Sequence, residues 1–379
     1  MAAPGVLGNL AGIPARVRHH ANHVRLHRDL AGLRSLRDRG LITDRERVLL
    51  RNAEAASAAL DDASATTDPR SGEAVPALLY LYDPGAFGGD GAVALAVGDL
   101  DTADDVSVLV PGMRTDAAGI GGLTGHATAV YEAARQADDD ATHASLAWIG
   151  YDAPDTVPLL DGLAGDVVRV LDEGLAEQGG ARLAEAVDGL RAERAEQGGP
   201  PADLTVIGHS YGSTTVGHAA SDHGLAVDDL VVVGSPGLGG EVRHVSDLEI
   251  GEADVWVGAN SLDVVTDLGD HGAIGLSSVM GLNLGLGLGL GHDPAADDFG
   301  ATRFQAESPI MSPGDVLDAH SGYFDHDGES LHNIARIVSG HDEWVSRADG
   351  VVDDWWRPPV DPERRRHPTT QITRATLGP

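Results

Sequence analysis

The stretch LTVIGHSYGSTTVGHAA, residues 204–220, constrains the fold of this chain more than any other segment. The apolar, partly β-branched run before Gly208 is typical of a strand. The small residues after Gly212 are compatible with a helix that packs closely against its neighbours. A strand that turns directly into a helix is the first half of a βα unit. The sequence therefore predicts a sharp turn centred on Ser210.

Short apolar runs and helical patterns alternate along the chain from residue 77 onward. Residues 115–137 and 158–196 show helical patterns, and we expect the second helix to break at the glycines of 177–180. This alternation indicates an α/β fold with a mostly parallel central sheet flanked by helices. The candidate strands are LLYLYD, AVALAV, VSVLV, a run within residues 141–154, DLTVIG, DLVVVG and ADVWVG.

Residues 1–75 are predicted to form a helical N-terminal region. Leu26, Leu30, Leu33 and Leu36 follow the spacing of three and four that one face of a helix requires. A second helix is expected to start at Thr43 or the residue after it. We expect the leucine stripe to pack on the edge of the sheet, and docking of a partner protein is the alternative.

Three further segments complete the predicted organisation. Residues 76–345 form the α/β domain, and residues 346–379 form a tail, rich in Pro and Arg from residue 357, that is expected to be partly disordered. Residues 281–291, GLNLGLGLGLG, alternate glycine with apolar residues and suit neither a helix nor a strand. This segment is interpreted either as a flexible loop or as an apolar flap over a site for a greasy substrate.

The charge of the chain excludes several partners. Its net charge is −33, and every basic residue is arginine, since the chain contains no lysine. A negative field repels nucleic acid and anionic membrane surfaces, so neither is an expected partner. The charge is explained either by a genome rich in Ala, Gly, Arg and Asp codons or by a high-salt environment. The sequence does not determine the oligomeric state.

The composition also bears on redox chemistry and location. The chain has no cysteine, which rules out disulfides, thiolate nucleophiles and zinc–sulfur sites. The first twenty residues lack the pattern of a signal peptide, and no apolar run reaches the ~18 residues that span a bilayer. We therefore expect a cytoplasmic protein without stable membrane insertion.

Ser210 is the predicted nucleophile. Gly-x-Ser-x-Gly is a weak pattern in a chain with 50 glycines, but here it lies between a strand and a helix. That context is the one a nucleophile elbow requires, because the turn exposes the serine hydroxyl at the carboxyl end of the sheet. Gly208 and Gly212 allow the strand and the helix to approach each other.

A serine hydroxyl needs a base, and the base needs an acid that orients it. In this architecture the acid follows the serine in the chain and lies just after a later strand. Asp263 comes directly after the strand in ADVWVGANSLD and is the preferred acid. Asp267 and Asp270 follow soon after and stay open as alternatives.

The base is expected on a loop near the end of the domain. His320 is preferred, because DVLDAHSGYF places it after a polar turn and in a loop that leads into the last helix. His292 adjoins the glycine-rich segment, which we expect to be too mobile to orient a base. The histidines considered are His271, His292, His320, His332 and His341.

Two N–H donors are needed to stabilise the negative charge that develops on the substrate carbonyl. One is predicted to be the backbone N–H of Tyr211. The other is assigned to Gly112 or Met113, in the loop after the VSVLV strand. His209 and Tyr151 are predicted to line the site and contact substrate.

Six segments carry a resemblance to a known family. VSVLVPGMRTD, AWIGYDAP, VIGHSYGSTTVGHAA, LVVVGSPG, HDPAADDFGA and AHSGYF occur in this order over about residues 77–341. Together they resemble an actinobacterial branch of the α/β-hydrolase superfamily that is catalogued as a domain of unknown function. The resemblance implies the α/β-hydrolase fold and a triad of Ser210, Asp263 and His320. Family members tend to have a glycine where this chain has Leu262, which keeps Asp267 open.

These residues predict a serine hydrolase that forms an acyl-enzyme and releases it with water. Carboxylic esters are the expected substrates, because an alkoxide leaves more readily than an amine. The apolar glycine–leucine segment further suggests that these esters are lipid esters. An acyltransferase with the same triad and a non-catalytic binding protein are the alternatives. We expect no cofactor and no metal, because the Asp and His residues lack tight ligand spacing and HExxH is absent.

Overall fold

The structure is a computed structural model, and it describes residues 4–155, 173–251, 253–263, 265–266, 290–307 and 316–348. Several of the predictions fall on other parts of the chain. Asp267, Asp270, His271, the glycine–leucine segment up to residue 289 and the tail from residue 349 lie outside the described residues.

The described strands form one eight-stranded sheet in the order β1-β2-β4-β3-β5-β6-β7-β8. Strand β2 pairs antiparallel with β1 and β4, and all the other pairings are parallel, which confirms the mostly parallel sheet. Every residue of β2, β3 and β4 is buried, as expected for strands covered on both faces. The strands are β1 Ala77–Asp83, β2 Ala92–Val97, β3 Asp105–Val110, β4 His143–Ile149, β5 Asp203–His209, β6 Asp229–Val233, β7 Asp254–Gly258 and β8 Thr302–Phe304.

Among the described residues, α-helices precede β1, follow β8 and fill the three connections from β3 to β6. No helix within the described residues is both long and apolar enough to cross a bilayer. The α-helices are α1 Pro4–Leu7, α2 Ala15–Asp38, α3 Asp44–Ser64, α4 Ile120–Ala137, α5 Gly174–Gln197, α6 Tyr211–His223, α7 Val316–Ser321 and α8 Glu329–Val338. Short 3₁₀ helices cover Phe87–Gly89, Ala117–Gly119, Val245–Asp247, Asp297–Phe299, Gly322–Phe324 and Asp342–Trp344.

Helix α5 runs without a break through residues 177–180, so the predicted break there is wrong. The two glycines lie where α5 crosses α6. A Cβ on Gly180 would lie 2.7 Å from the backbone nitrogen of Ala219, and one on Gly179 would lie 2.8 Å from the Cγ2 of Thr215. These glycines therefore serve the close approach of two helices rather than the end of one.

The N-terminal helices pack on the sheet, as the leucine stripe predicts. Leu26 and Leu30 are buried. Helix α2 lies along the edge strand β1, where the N–H of Leu79 donates to the Nδ1 of His19 at 2.9 Å. A capping box formed by Thr43 and the residue three positions later begins α3. The helices therefore cover an edge strand of the sheet. The domain boundaries at residues 75 and 345 stay predictions.

Alternate side chains of the strands reach two buried clusters, one on each face of the sheet. In β3, Val108 belongs to one cluster and Leu109 to the other, and in β5 the same holds for Val206 and Ile207. Because β5 runs parallel to its neighbours and ends at His209, Ser210 lies at the carboxyl ends of the parallel strands.

Candidate active site

Ser210 occupies a strained turn between β5 and α6. Its φ of +56° and ψ of −132° lie in a region that residues other than glycine avoid. A Cβ on Gly208 would lie 2.8 Å from the Cα of Ser213, and one on Gly212 would lie 2.6 Å from the carbonyl oxygen of Pro111. The two glycines of the motif therefore make the turn sterically possible, and the packing around it holds the strained serine in place.

A chain of hydrogen bonds supports the backbone of this turn. The hydroxyl of Ser213 donates to the carbonyl of Ser210 at 2.6 Å, and its Oγ lies 2.7 Å from the Oγ of Ser235. The N–H of Gly237 donates to Ser235 at 3.1 Å. Because each hydroxyl donates one proton, the chain runs from Gly237 through Ser235 and Ser213 to Ser210. The turn at residues 234–237 is thereby tied to the serine.

The structure brings Ser210, His320 and Asp263 together. The Nε2 of His320 lies 2.9 Å from the Oγ of Ser210, and its Nδ1 lies 2.9 and 3.0 Å from the carboxylate oxygens of Asp263. His320 lies in the short helix α7 rather than in the predicted loop. The side chain of Asp263 has no exposed surface, whereas that of His320 is 19% exposed. This arrangement can transfer a proton from the serine to the imidazole.

Asp263 is held by further donors at the end of β7. One carboxylate oxygen accepts from the hydroxyl of Tyr323 at 2.8 Å, and the other accepts from the N–H of Val265 at 2.9 Å. Burial and the neighbouring Asp263 carboxylate raise the pKa of Tyr323 well above its usual value, so its hydroxyl stays a donor. Leu262 is 43% exposed, so this turn accommodates the side chain that departs from the family pattern.

The loop after β3 lies against the serine. A Cβ on Gly112 would lie 2.6 Å from the Cβ of Ser210, so a larger residue does not fit there. The N–H groups of Gly112 and Met113 donate no hydrogen bond within the part of the chain that the structure describes. Tyr211 directly follows the serine and opens helix α6. The loop after β3 and the start of α6 therefore meet beside Ser210, and the role of Tyr211, Gly112 and Met113 as N–H donors stays a prediction.

Tyr151 packs against this loop. Its side chain is buried, and its hydroxyl donates to the carbonyl of Pro111 at 2.6 Å. Burial raises the pKa of Tyr151 above its usual value, so the hydroxyl stays protonated. The residue is covered by the loop that it supports, and its contact with substrate stays a prediction.

Three comparisons place the chain among known proteins. The family model described as alpha/beta hydrolase matches residues 87–273. The uncharacterized protein Mb0988c of Mycobacterium bovis is 33% identical over 212 residues, which cover 52% of this chain and 71% of that protein. The chain belongs to the alpha/beta hydrolase family. The fold class predicted from the sequence is thereby confirmed.

A longer relative and a solved structure complete the comparisons. The uncharacterized protein Rv2079 of Mycobacterium tuberculosis is 36% identical over 372 residues, 92% of this chain and 54% of that protein, so the chain spans about half of its length. The structure of the esterase LipW from Mycobacterium marinum aligns with this one over 78% of this chain and 88% of the LipW chain, with 12% sequence identity and a TM-score of 0.39. Likeness at that level does not inform on the substrate.

His209, next to the serine, contacts the backbone of the candidate base His320. Its Nε2 donates to the carbonyl of His320 at 2.8 Å, and the two rings lie 4.9 Å apart between centroids. Burial, and secondly the neighbouring His320, lower the pKa of His209 to about 3, so its ring is neutral. Its contact with substrate stays a prediction.

The other candidate bases that the structure describes have different surroundings. The Nε2 of His292 lies 3.0 Å from Asp298, and that of His341 lies 3.2 Å from Asp138. His332 lies on α8. Among the described residues, His320 is therefore the histidine whose ring meets the hydroxyl of Ser210.

Among the residues that the structure describes, two groups of three carboxylates could share a cation, and neither includes a residue of the candidate site. One is formed by residues 138–140 and the other by Asp229, Asp254 and Asp342. Asp229 and Asp254 begin β6 and β7, so they lie at the opposite end of the strands from Ser210. A metal bound there would not touch the serine.

Sequence reasoning missed two supports of this site. It did not identify Tyr323 as a donor to Asp263, although the tyrosine follows His320 by three residues. It also gave Gly234 no role. Gly234 has a φ of +59°, and a Cβ there would lie 2.9 Å from the Oδ2 of Asp263. The glycine that begins the GSPG turn, residues 234–237, is therefore the one feature of the sequence that could have indicated a carboxylate packed against this turn.

Proposed function

We propose that this chain is a serine hydrolase that cleaves carboxylic esters through an acyl-enzyme on Ser210. The observation that supports this most strongly is the continuous chain of contacts from the Oγ of Ser210 through the ring of His320 to the carboxylate of Asp263. The strained backbone of the serine adds to it, as do the N–H groups of Gly112 and Met113, which donate no hydrogen bond to any described residue. Membership of the alpha/beta hydrolase family agrees with this chemistry.

Acylation is the first half of the proposed reaction. The Oγ of Ser210 attacks the ester carbonyl carbon while the Nε2 of His320 takes the hydroxyl proton. The carbonyl oxygen becomes an oxyanion, which accepts hydrogen bonds from the N–H groups of Tyr211 and of Gly112 or Met113. The carbon–oxygen bond to the leaving group then breaks, His320 returns the proton to the alkoxide, and the alcohol leaves.

Deacylation repeats the sequence with water. His320 takes a proton from a water molecule, and the resulting hydroxide attacks the acyl-enzyme. The bond to Ser210 then breaks, the serine regains its proton from His320, and the carboxylic acid leaves. Asp263 accepts the Nδ1–H of His320 throughout, which fixes the tautomer and stabilises the imidazolium.

Hydrolysis of p-nitrophenyl esters tests this proposal. We expect turnover by the wild type and a loss of kcat/KM of at least about 10³-fold in Ser210→Ala, because the nucleophile is removed. Ser221→Ala is the matched control, since Ser221 lies on the same helix and its hydroxyl contacts Asp222. A folded wild type that is inactive on the whole ester panel, or equal rates in wild type and Ser210→Ala, would contradict the proposal.

Two further arms of the experiment define the substrate and the acceptor. A series from acetate to palmitate tests the lipid-ester prediction, which fails when long chains are cleaved no better than short ones. Added alcohols or amines test acyl transfer, because product analysis separates the transferred acyl group from the free acid.

A further inference from the structure

The hydrogen bond between His209 and the backbone of His320 joins two neighbours of the proposed nucleophile. The Nε2 of His209 lies 2.8 Å from the carbonyl oxygen of His320. A carbonyl oxygen only accepts hydrogen bonds, so the proton of the neutral His209 ring is on Nε2. The residue before the serine therefore holds the main chain of the residue that contacts the serine.

The backbone of His320 needs such support. Helix α7 has six residues, and an isolated helix of this length is unstable in water. His320 is its penultimate residue, in the last turn, where backbone carbonyls lack donors within the helix. A side chain from β5 supplies a donor at that place and ties α7 to the central sheet.

The ring of His209 is itself fixed by aromatic neighbours. Its centroid lies 4.9 Å from that of His320, 5.9 Å from that of Tyr323 and 6.0 Å from that of Phe324, whose ring it meets edge-on. The low pKa of His209 keeps its ring neutral, so no second positive charge lies beside His320 when that ring becomes an imidazolium. A neutral donor suits this position better than a charged one.

We propose that His209 is a positioning residue, which fixes the carbonyl of His320 and thereby keeps its imidazole between the Oγ of Ser210 and Asp263. The catalytic consequence rests on the proposed hydrolase function. The positioning of the His320 ring does not depend on that function, because the contact between His320 and Asp263 exists with or without turnover. This role differs from the substrate contact that the sequence predicts for His209.

Two substitutions separate these roles. His209→Phe keeps a ring but removes the donor, and His209→Gln keeps an N–H donor of similar reach. We expect His209→Phe to lower kcat on the order of 10- to 100-fold with KM near that of the wild type, because the base is misplaced and no substrate contact is lost. We expect His209→Gln to recover most of kcat.

Proton NMR supplies a readout that does not depend on turnover. The proton between the Nδ1 of His320 and Asp263 is expected to give a far-downfield resonance in the wild type and in His209→Gln, and to be lost in His209→Phe. His332→Phe, a change at a histidine on α8, is the control that should keep both the resonance and the activity of the wild type.

The outcomes separate the inference from the proposed function. Loss of the resonance in His209→Phe with recovery in His209→Gln supports positioning, even when the wild type cleaves no ester, in which case the proposed function alone fails. Retention of the resonance and of kcat in His209→Phe overturns the inference. So does a raised KM with unchanged kcat, which identifies His209 as a substrate contact, and so does a wild type without the resonance.

Discussion

At the scale of single residues, Asp263 is the more deeply buried member of its pair with His320, because its side chain has no exposed surface. A buried carboxylate costs several kcal/mol unless hydrogen bonds and positive charge compensate for the lost water. Asp263 has three donors among the described residues, namely the ring of His320, the hydroxyl of Tyr323 and the N–H of Val265. The site is therefore organised before any substrate binds, and each donor is a place where a single change can be tested.

Asp263→Asn tests which aspartate orients His320. We expect kcat to fall on the order of 10³- to 10⁴-fold, because an amide no longer holds the Nδ1–H tautomer of His320. Asp267→Asn is the control, since Asp267 is the alternative that the sequence leaves open. Steady-state kinetics on a p-nitrophenyl ester measure both variants. A large loss in Asp267→Asn with a small one in Asp263→Asn would reverse the assignment.

Tyr151→Phe tests the support of the loop after β3. The peptide between Pro111 and Gly112 is trans, so the N–H of Gly112 points away from the carbonyl that Tyr151 holds. Without the hydroxyl, this donor is less well oriented, and we expect kcat to fall about 10-fold with little change in KM. Tyr131→Phe, which removes a hydroxyl near Asp68, is the control. Equal effects of the two changes would refute this role.

The sequence predicts the three central residues but not their supports. Ser210, Asp263 and His320 follow from a turn motif and from the order in which an α/β sheet presents its strand ends. The bond between Tyr323 and Asp263 joins residues 60 positions apart. Its existence depends on how α7 and the 3₁₀ turn after it dock onto the end of β7, and no local pattern encodes that docking.

At the scale of secondary structure, the apolar runs predict most of the elements, and two exceptions have physical causes. Strand β8 was not predicted, because its three residues are too few to show a period. The expected break in α5 is absent, because Gly180 is used for packing against α6. A glycine in a helical pattern thus marks either an end or a close contact, and the sequence alone does not distinguish them.

Two glycine substitutions test this account of α5. Gly180→Ala adds a methyl group 2.7 Å from the backbone of α6, so we expect the free energy of unfolding to fall by about 1–3 kcal/mol. Gly125→Ala is the matched change on α4, where nothing lies within 4 Å, and we expect a gain of about 0.5–1 kcal/mol. Urea unfolding of both variants measures the difference. A gain in both would mean that α5 and α6 are not closely packed at Gly180.

At the scale of the whole molecule, negative charge is unfavourable at the amino ends of the parallel strands, where several carboxylates lie close together and Asp229 is buried. Asp203 begins β5, and Asp229, Asp254 and Asp342 lie close together. Burial, followed by neighbouring carboxylates, raises the pKa of Asp203 to about 6. Burial is also the main cause that raises the pKa of Asp229 to about 7, and the hydrogen bond from Trp256 opposes it. The folded state therefore binds more protons there than the unfolded chain does.

Asp229→Asn tests this effect. A carboxyl with a raised pKa stabilises the folded state fully below pH 4, and this contribution is lost as the pH rises towards 7. We expect Asp229→Asn to raise the stability at pH 8 by about 1–3 kcal/mol and to change it little at pH 4, because the amide oxygen still accepts from Trp256. Thermal melts at both pH values measure this.

The control for that experiment is Asp61→Asn, an exposed position on α3 that removes one charge without touching the strand ends. An equal gain from both changes at pH 8 would attribute the effect to the net charge of −33 rather than to the carboxylates at the strand ends.

The central claim is that Ser210 is an activated nucleophile, and covalent trapping tests it most directly. The measurement is the intact mass of the wild type and of Ser210→Ala after incubation with a fluorophosphonate, with folding of both checked by circular dichroism. One adduct on the wild type and none on Ser210→Ala is the predicted result. No adduct on the folded wild type, or an equal adduct on Ser210→Ala, would contradict the claim.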